Sequence, residues 1–190
     1  SLEENGEKTP VNYVLPPGVD RVIDPSNVQI RELNEQSMVL NVKDLEPREA
    51  KAAYKTANLD MRRYKTLKLE VHAEALEGVP LRDNDLSIFV RLGSDFQYNY
   101  YEYEVPLKLT PAGYYDNNRE SDRFIVWPEE NRVYIPLLSL PQLKQDRNAE
   151  MRKSGSTITL GTIFEKIHEG FNNNKNKIKI KGNPDLSEVE

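Results

Sequence analysis

Between Tyr64 and Leu109 the chain alternates apolar and polar residues in three successive runs, and no other stretch limits its fold as strongly. Leu67, Leu69, Val71, Ala73 and Ala75 interleave with Lys68, Glu70, His72 and Glu74. Leu86, Ile88, Val90 and Leu92 interleave with Ser87, Phe89 and Arg91. Tyr101, Tyr103, Val105, Leu107 and Leu109 interleave with Tyr100, Glu102, Glu104 and Lys108. Side chains on a strand point alternately to its two faces, so each run carries one apolar and one polar face. The runs are separated by Glu77-Gly78-Val79-Pro80 to Asp83-Asn84-Asp85 and by Gly93-Ser94-Asp95. Together they predict a three-stranded antiparallel meander over one core.

The flanking sequence extends this pattern. Tyr13 to Asn27, rich in proline, predicts an extended, turn-rich crossing, because proline fixes φ and removes a donor. Ser37 to Val42 predicts a strand with Met38, Leu40 and Val42 inward. Glu46 to Tyr54 predicts a short helix, with Pro47 in its first turn and alanines in its body. Thr110 to Asp122 has the composition of a loop. Arg123–Trp127 and Arg132–Leu137 predict two short strands, and Leu140 to Arg152 a helix. Ile158 to Phe171 fits either period. Asn176 to Lys181 predicts a strand whose Lys177, Lys179 and Lys181 line one face, which suits a sheet edge. About seven strands with two or three short helices imply a mainly β, two-sheet antiparallel sandwich. A jelly roll, galactose-binding-like, is favoured over an immunoglobulin-like arrangement.

Composition bounds the function. A chain of 190 residues has room for one substantial core, and its 37% hydrophobic share in alternating runs argues against wholesale disorder. The net charge of -5 gives no general attraction to nucleic acid or anionic lipid. With no cysteine, disulfides and thiolate metal sites are excluded. No run approaches the ~18 apolar residues of a membrane helix. No signal peptide is visible at Ser1, and the acidic opening through Thr9 reads as a linker. The expected layout is therefore a linker over residues 1–12 and one domain over 13–190, an excised insertion of a larger protein.

No residue set commits the chain to catalysis. Glu70, His72 and Glu74, with Arg91 and Glu102 on neighbouring strands, could serve acid–base chemistry or a glycosidase. Cross-strand charge pairing explains the same residues more simply. His72 and His168 lack the spacing of a zinc site. Asp83-Asn84-Asp85 reads as a turn rather than a calcium loop. No metal or other cofactor is expected, and Lys175 to Lys181 form no recognised nucleic-acid motif. Tyr98 and Tyr100 fall on the polar side of their strand and could form a platform for a sugar ring or a protein partner.

Several motifs resemble the SprA/Sov family, the giant outer-membrane translocon of the type IX secretion system, tied to gliding motility in the Bacteroidetes. They are Tyr13-Val14-Leu15-Pro16-Pro17-Gly18-Val19-Asp20-Arg21, Leu33 to Met38, Leu59-Asp60-Met61-Arg62-Arg63-Tyr64-Lys65 and Val71-His72-Ala73-Glu74. Phe89 to Asp95, Asn99 to Leu107, Trp127-Pro128-Glu129-Glu130-Asn131 and Lys181-Gly182-Asn183-Pro184-Asp185-Leu186 continue the series. The resemblance implies a soluble insertion of a very large β-barrel, associated with the outer membrane at the cell surface or on its periplasmic side. It implies a structural or protein-contact role without catalysis. The partners would be other parts of the same polypeptide, secreted cargo proteins or secretion components. The family pattern continues into a further strand, so an exposed sheet edge or a swapped dimer is an expectation. The contact residues expected are Arg91, Tyr98, Tyr100 and Trp127. The alternative is a carbohydrate-binding jelly-roll module of a bacterial cell-surface protein.

Overall fold

The computed structural model describes residues 2–4, 11–19, 36–57, 59–187 and 189. The part of the predicted Tyr13–Asn27 crossing beyond Val19 lies outside them. Strands β1 (Leu2–Glu4) and β2 (Gln36–Met38) form a small antiparallel ladder of their own. Strands β3 (Thr66–Leu69), β4 (Ser87–Gly93) and β5 (Tyr100–Pro106) follow. Helix α1 (Glu120–Val126), strand β6 (Val133–Pro136) and helix α2 (Ser139–Met151) come next. Strands β7 (Phe164–Ile167) and β8 (Lys177–Lys181) complete the order.

The fold is mainly β, with two antiparallel sheets sharing a core. One is the pair β3–β6; the other has four strands in the order β4-β5-β8-β7. These ladders do not assemble the eight-strand order of a jelly roll. The predicted meander is corrected here: β4 and β5 pair as a hairpin, but the first run pairs with β6. Seventeen residues, Glu70 to Leu86, separate β3 from β4, enough to carry the chain from one sheet to the other.

Each strand of the larger sheet turns one side inward. Leu92, Tyr101, Tyr103, Val105, Ile178 and Ile180 meet Val133 and Ile135 of β6 and Leu140 and Leu143 of α2 in one apolar cluster. Burying each such side chain is worth about 1.5–3 kcal/mol over leaving it exposed. A second, smaller cluster joins Val11 and Val14 to Val126 and Trp127. The Trp127 indole donates to the Val14 carbonyl at 2.8 Å, so it ties the extended crossing to α1.

Four local predictions are corrected. Arg123–Trp127 is the end of α1 and its cap, not a strand. Five residues cannot separate a period of 2 from 3.6, and Glu120 and Asp122 in the first turn favour the helix through its dipole. Glu46 to Tyr54 is not helical; Arg48 has φ 72° and the stretch is exposed, so nothing offsets the cost of nucleating a helix. The strand predicted over Ser37–Val42 stops at Met38, and Met38, Leu40 and Val42 are exposed rather than inward. β8 is an interior strand, not an edge, because carboxylates on the adjacent strands answer its lysines.

Candidate functional site

The outer face of the four-stranded sheet is the most organised surface among the described residues. Register places Arg91, Glu102, Lys179 and Glu165 in one row across all four strands, with alternating charge. The next row is Phe89, Glu104, Lys177 and Ile167. Arg91 Nε donates to Glu102 at 2.6 Å, and Lys179 Nζ donates to the other Glu102 oxygen at 2.8 Å. Lys179 also pairs with Glu104. Only 7% of the Glu102 side chain is exposed, so its charge is balanced by two cations rather than by water. Burial raises the Glu104 carboxyl, but the Lys179 hydrogen bond and charge outweigh it and hold the group below the usual glutamate range.

At one end of this face lie three of the sequence-predicted contact residues. Tyr100 is 3% exposed because the Arg91 guanidinium covers its ring, 4.1 Å from the ring centre. The same guanidinium donates to the Phe96 carbonyl at 2.7 Å. Tyr98 is 66% exposed, with the Lys181 ammonium 5.3 Å from its ring centre. Trp127 lies apart from them, 9% exposed in the smaller cluster. The structure thus gathers Arg91, Tyr98 and Tyr100 but not Trp127, and only Tyr98 of the three rings is open.

The loop that presents Tyr98 is fixed from both sides. Asp95 Oδ1 accepts from the backbone N–H groups of Gln97, Tyr98 and Asn99, and Oδ2 from the Asn99 amide. Burial works against the charged carboxylate, but these donors prevail and hold Asp95 at about 2. Asn99 Oδ1 in turn accepts from Asn183 N at 2.9 Å. A Cβ at Gly182 would lie 1.9 Å from the Tyr98 carbonyl oxygen, so the chain leaving β8 needs glycine there, and its φ of 69° needs it again. From the far side, buried Arg147 of α2 donates to the Gly182 carbonyl, and Lys144 donates to that of Pro184.

At the opposite end, Ser87, Glu104, Ile167, Lys175 and Lys177 line an open groove of about 500 Å³. The acid–base candidates divide between separate partners. Glu70 takes Arg132 at 2.8 Å, while Glu102 takes Arg91 and Lys179. His72 donates from Nδ1 to the Val126 carbonyl at 2.9 Å and turns Nε2 to Glu74 at 3.2 Å. His168 stacks on Phe171 and bonds the Tyr103 hydroxyl; burial lowers its pKa. No group of three or more potential metal ligands occurs among the described residues. No helix among them is long and apolar enough to cross a membrane.

Sequence reading missed Lys179 as the hub of the face. Its signal was present: Glu102 and Glu104 repeat at the spacing of Lys177 and Lys179, as paired antiparallel strands require. It also missed the Asn99–Gly182 junction, which joins residues far apart in sequence.

These features define a mainly β, two-sheet module whose organised surface is an ion-paired sheet face with an exposed tyrosine at one end. The chain belongs to the SprA N-terminal family, described as motility related/secretion protein, whose family model matches residues 1–190. No curated protein matches it.

Proposed function

We propose that the chain is a non-enzymatic domain of a SprA/Sov-type outer-membrane translocon, with a structural or protein-contact role in type IX secretion and gliding motility. Membership in a motility and secretion family across residues 1–190 supports the setting. The observation that carries the contact role is the exposure of Tyr98 on a loop immobilised by Asp95, Asn99 and Gly182. A rigid aromatic side chain costs little entropy when it is covered, which is why such residues anchor interfaces. The acid–base candidates are engaged in ion pairs and hydrogen bonds, which favours a non-catalytic role. Of the rings expected to form a sugar platform, Tyr98, Tyr100 and Trp127, the last two are covered, which favours protein contact over carbohydrate binding.

A photoreactive residue replacing Tyr98 in the full-length protein, in secreting cells, tests this. Crosslinks to secreted cargo or to another secretion component are expected. Crosslinks confined to the same polypeptide would overturn the contact role and make the domain an internal part of the translocon.

A further inference from the structure

We propose that the outer edge of β7 accepts an extended protein segment as a fifth, antiparallel strand, with the pattern apolar–any residue–basic. The basic residue lies opposite Glu165 and the apolar one opposite Ile167. This deepens the protein-contact reading by naming a second contact and its chemistry, at the far side of the sheet from Tyr98.

The edge is open. β7 pairs only with β8 among the described strands. The His168 N–H donates to the Asn176 carbonyl at 2.8 Å, which makes 168/176 a bonded pair. Bonded pairs alternate along an antiparallel ladder, so Phe164 and Lys166 bond to β8, and the backbone groups of Glu165 and Ile167 point away from it. Ile167 is 56% exposed, and Ile163, just before the strand, is exposed as well. The opposite edge, β4, is less bare: Ile88 to Arg91 are half-buried, and Tyr54 packs against Phe96 in the loop that follows.

The two rows of the outer face specify the occupant. The row Arg91, Glu102, Lys179, Glu165 ends on a carboxylate, 52% exposed, whose ion pair is a loose diagonal one with Lys177 at 3.7 Å. A cation on the next strand continues the alternation. The row ending on Ile167 calls for an apolar neighbour in the same way. Because every ladder of the sheet is antiparallel, the incoming strand meets Ile167 first and Glu165 two residues later.

A second copy of the chain is a poor occupant. Two-fold pairing of β7 centred on Glu165 opposes two carboxylates, and centring on Lys166 opposes two ammonium groups. Centring on Ile167 sets Glu165 against Glu169. Like charges directly opposite destabilise a ladder, and charged edges of this kind discourage self-pairing.

The test uses the whole chain and two acetylated synthetic peptides, Thr-Ser-Val-Thr-Lys-Thr-Ser and its twin with glutamate in place of lysine, at low salt. Amide hydrogen exchange is followed residue by residue. The lysine peptide is expected to slow exchange at Glu165 and Ile167 by about tenfold or more, leaving Lys166 unchanged. The glutamate twin is expected to have no effect on the native chain and to become the effective one on Glu165→Lys. Equal slowing by both peptides, no slowing by either, or slowing in the free chain that grows with protein concentration would overturn the proposal. The last outcome would assign the edge to a second copy. Failure here leaves Tyr98 crosslinking untouched, so the two contacts are judged separately.

Discussion

Lys179 stands between Glu102 and Glu104 with little access to water, so Lys179→Met leaves two carboxylates short of a cation. The substitution is expected to cost about 1–3 kcal/mol, read as a lower urea midpoint, because Arg91 still compensates Glu102 in part. It also changes the acid response. A depressed carboxylate contributes stability that is present above its unfolded pKa and lost as pH falls through the folded one, so native stability declines below the ordinary glutamate range. In Lys179→Met the Glu104 contribution to that decline disappears, which a set of denaturation curves at falling pH would show. Tyr101 gives the opposite sign. Burial pushes its phenol up to about 12 from 10.0, so its contribution is full below pH 10 and lost between pH 10 and 12. Phenolate absorbance should show a tyrosine that titrates late in the folded chain and normally in urea.

The junction at the end of β8 depends on a single missing methyl. Gly182→Ala would set a Cβ against the Tyr98 carbonyl and force a left-handed backbone on alanine. A loss of about 2–4 kcal/mol is expected, with faster amide exchange in Tyr98 and Asn99 as the local signature. Elements such as α2 and β8 were legible in the sequence through residue type: α2 is a long polar run without β-branched side chains, and β8 alternates lysine with isoleucine. α1 was not: Arg123 to Trp127 is a β-branched and aromatic run that reads as a strand, while the helix is set by Glu120 and Asp122 upstream. Glu46 to Tyr54 failed the other way, with helical composition but nothing to pack against. The position of β8 was hidden because a lysine-lined strand reads as an edge until its acidic neighbours are known.

At the scale of the whole molecule, the two sheets and α2 share one core, while Trp127 reports on the smaller cluster with Val11, Val14 and Val126. That satellite buries fewer side chains and is expected to open first. Tryptophan fluorescence should therefore shift at a lower denaturant concentration than the far-ultraviolet circular dichroism of the sheets; coincident curves would show one cooperative unit. The sequence reading reached the mainly β class and two antiparallel sheets through the period of two. It did not reach the pairing of β3 with β6, since alternation says that a strand has two faces and nothing about its neighbour. The candidate site was legible as residue types, Arg91 and Tyr98 among them. Burial of Tyr100 under Arg91 depended on a cross-strand neighbour and was not.

The interior place of β8 has a mechanical consequence. Flanked by antiparallel partners on both sides and anchored at its exit by Arg147 and Gly182, it cannot be peeled away one bond at a time. Tension along this strand loads both ladders in shear, so the bonds must give way together. Tension on β7, held along one side only among the described strands, can unzip it. A domain subjected to traction would then shed its outermost strand while the β4-β5-β8 body kept its shape.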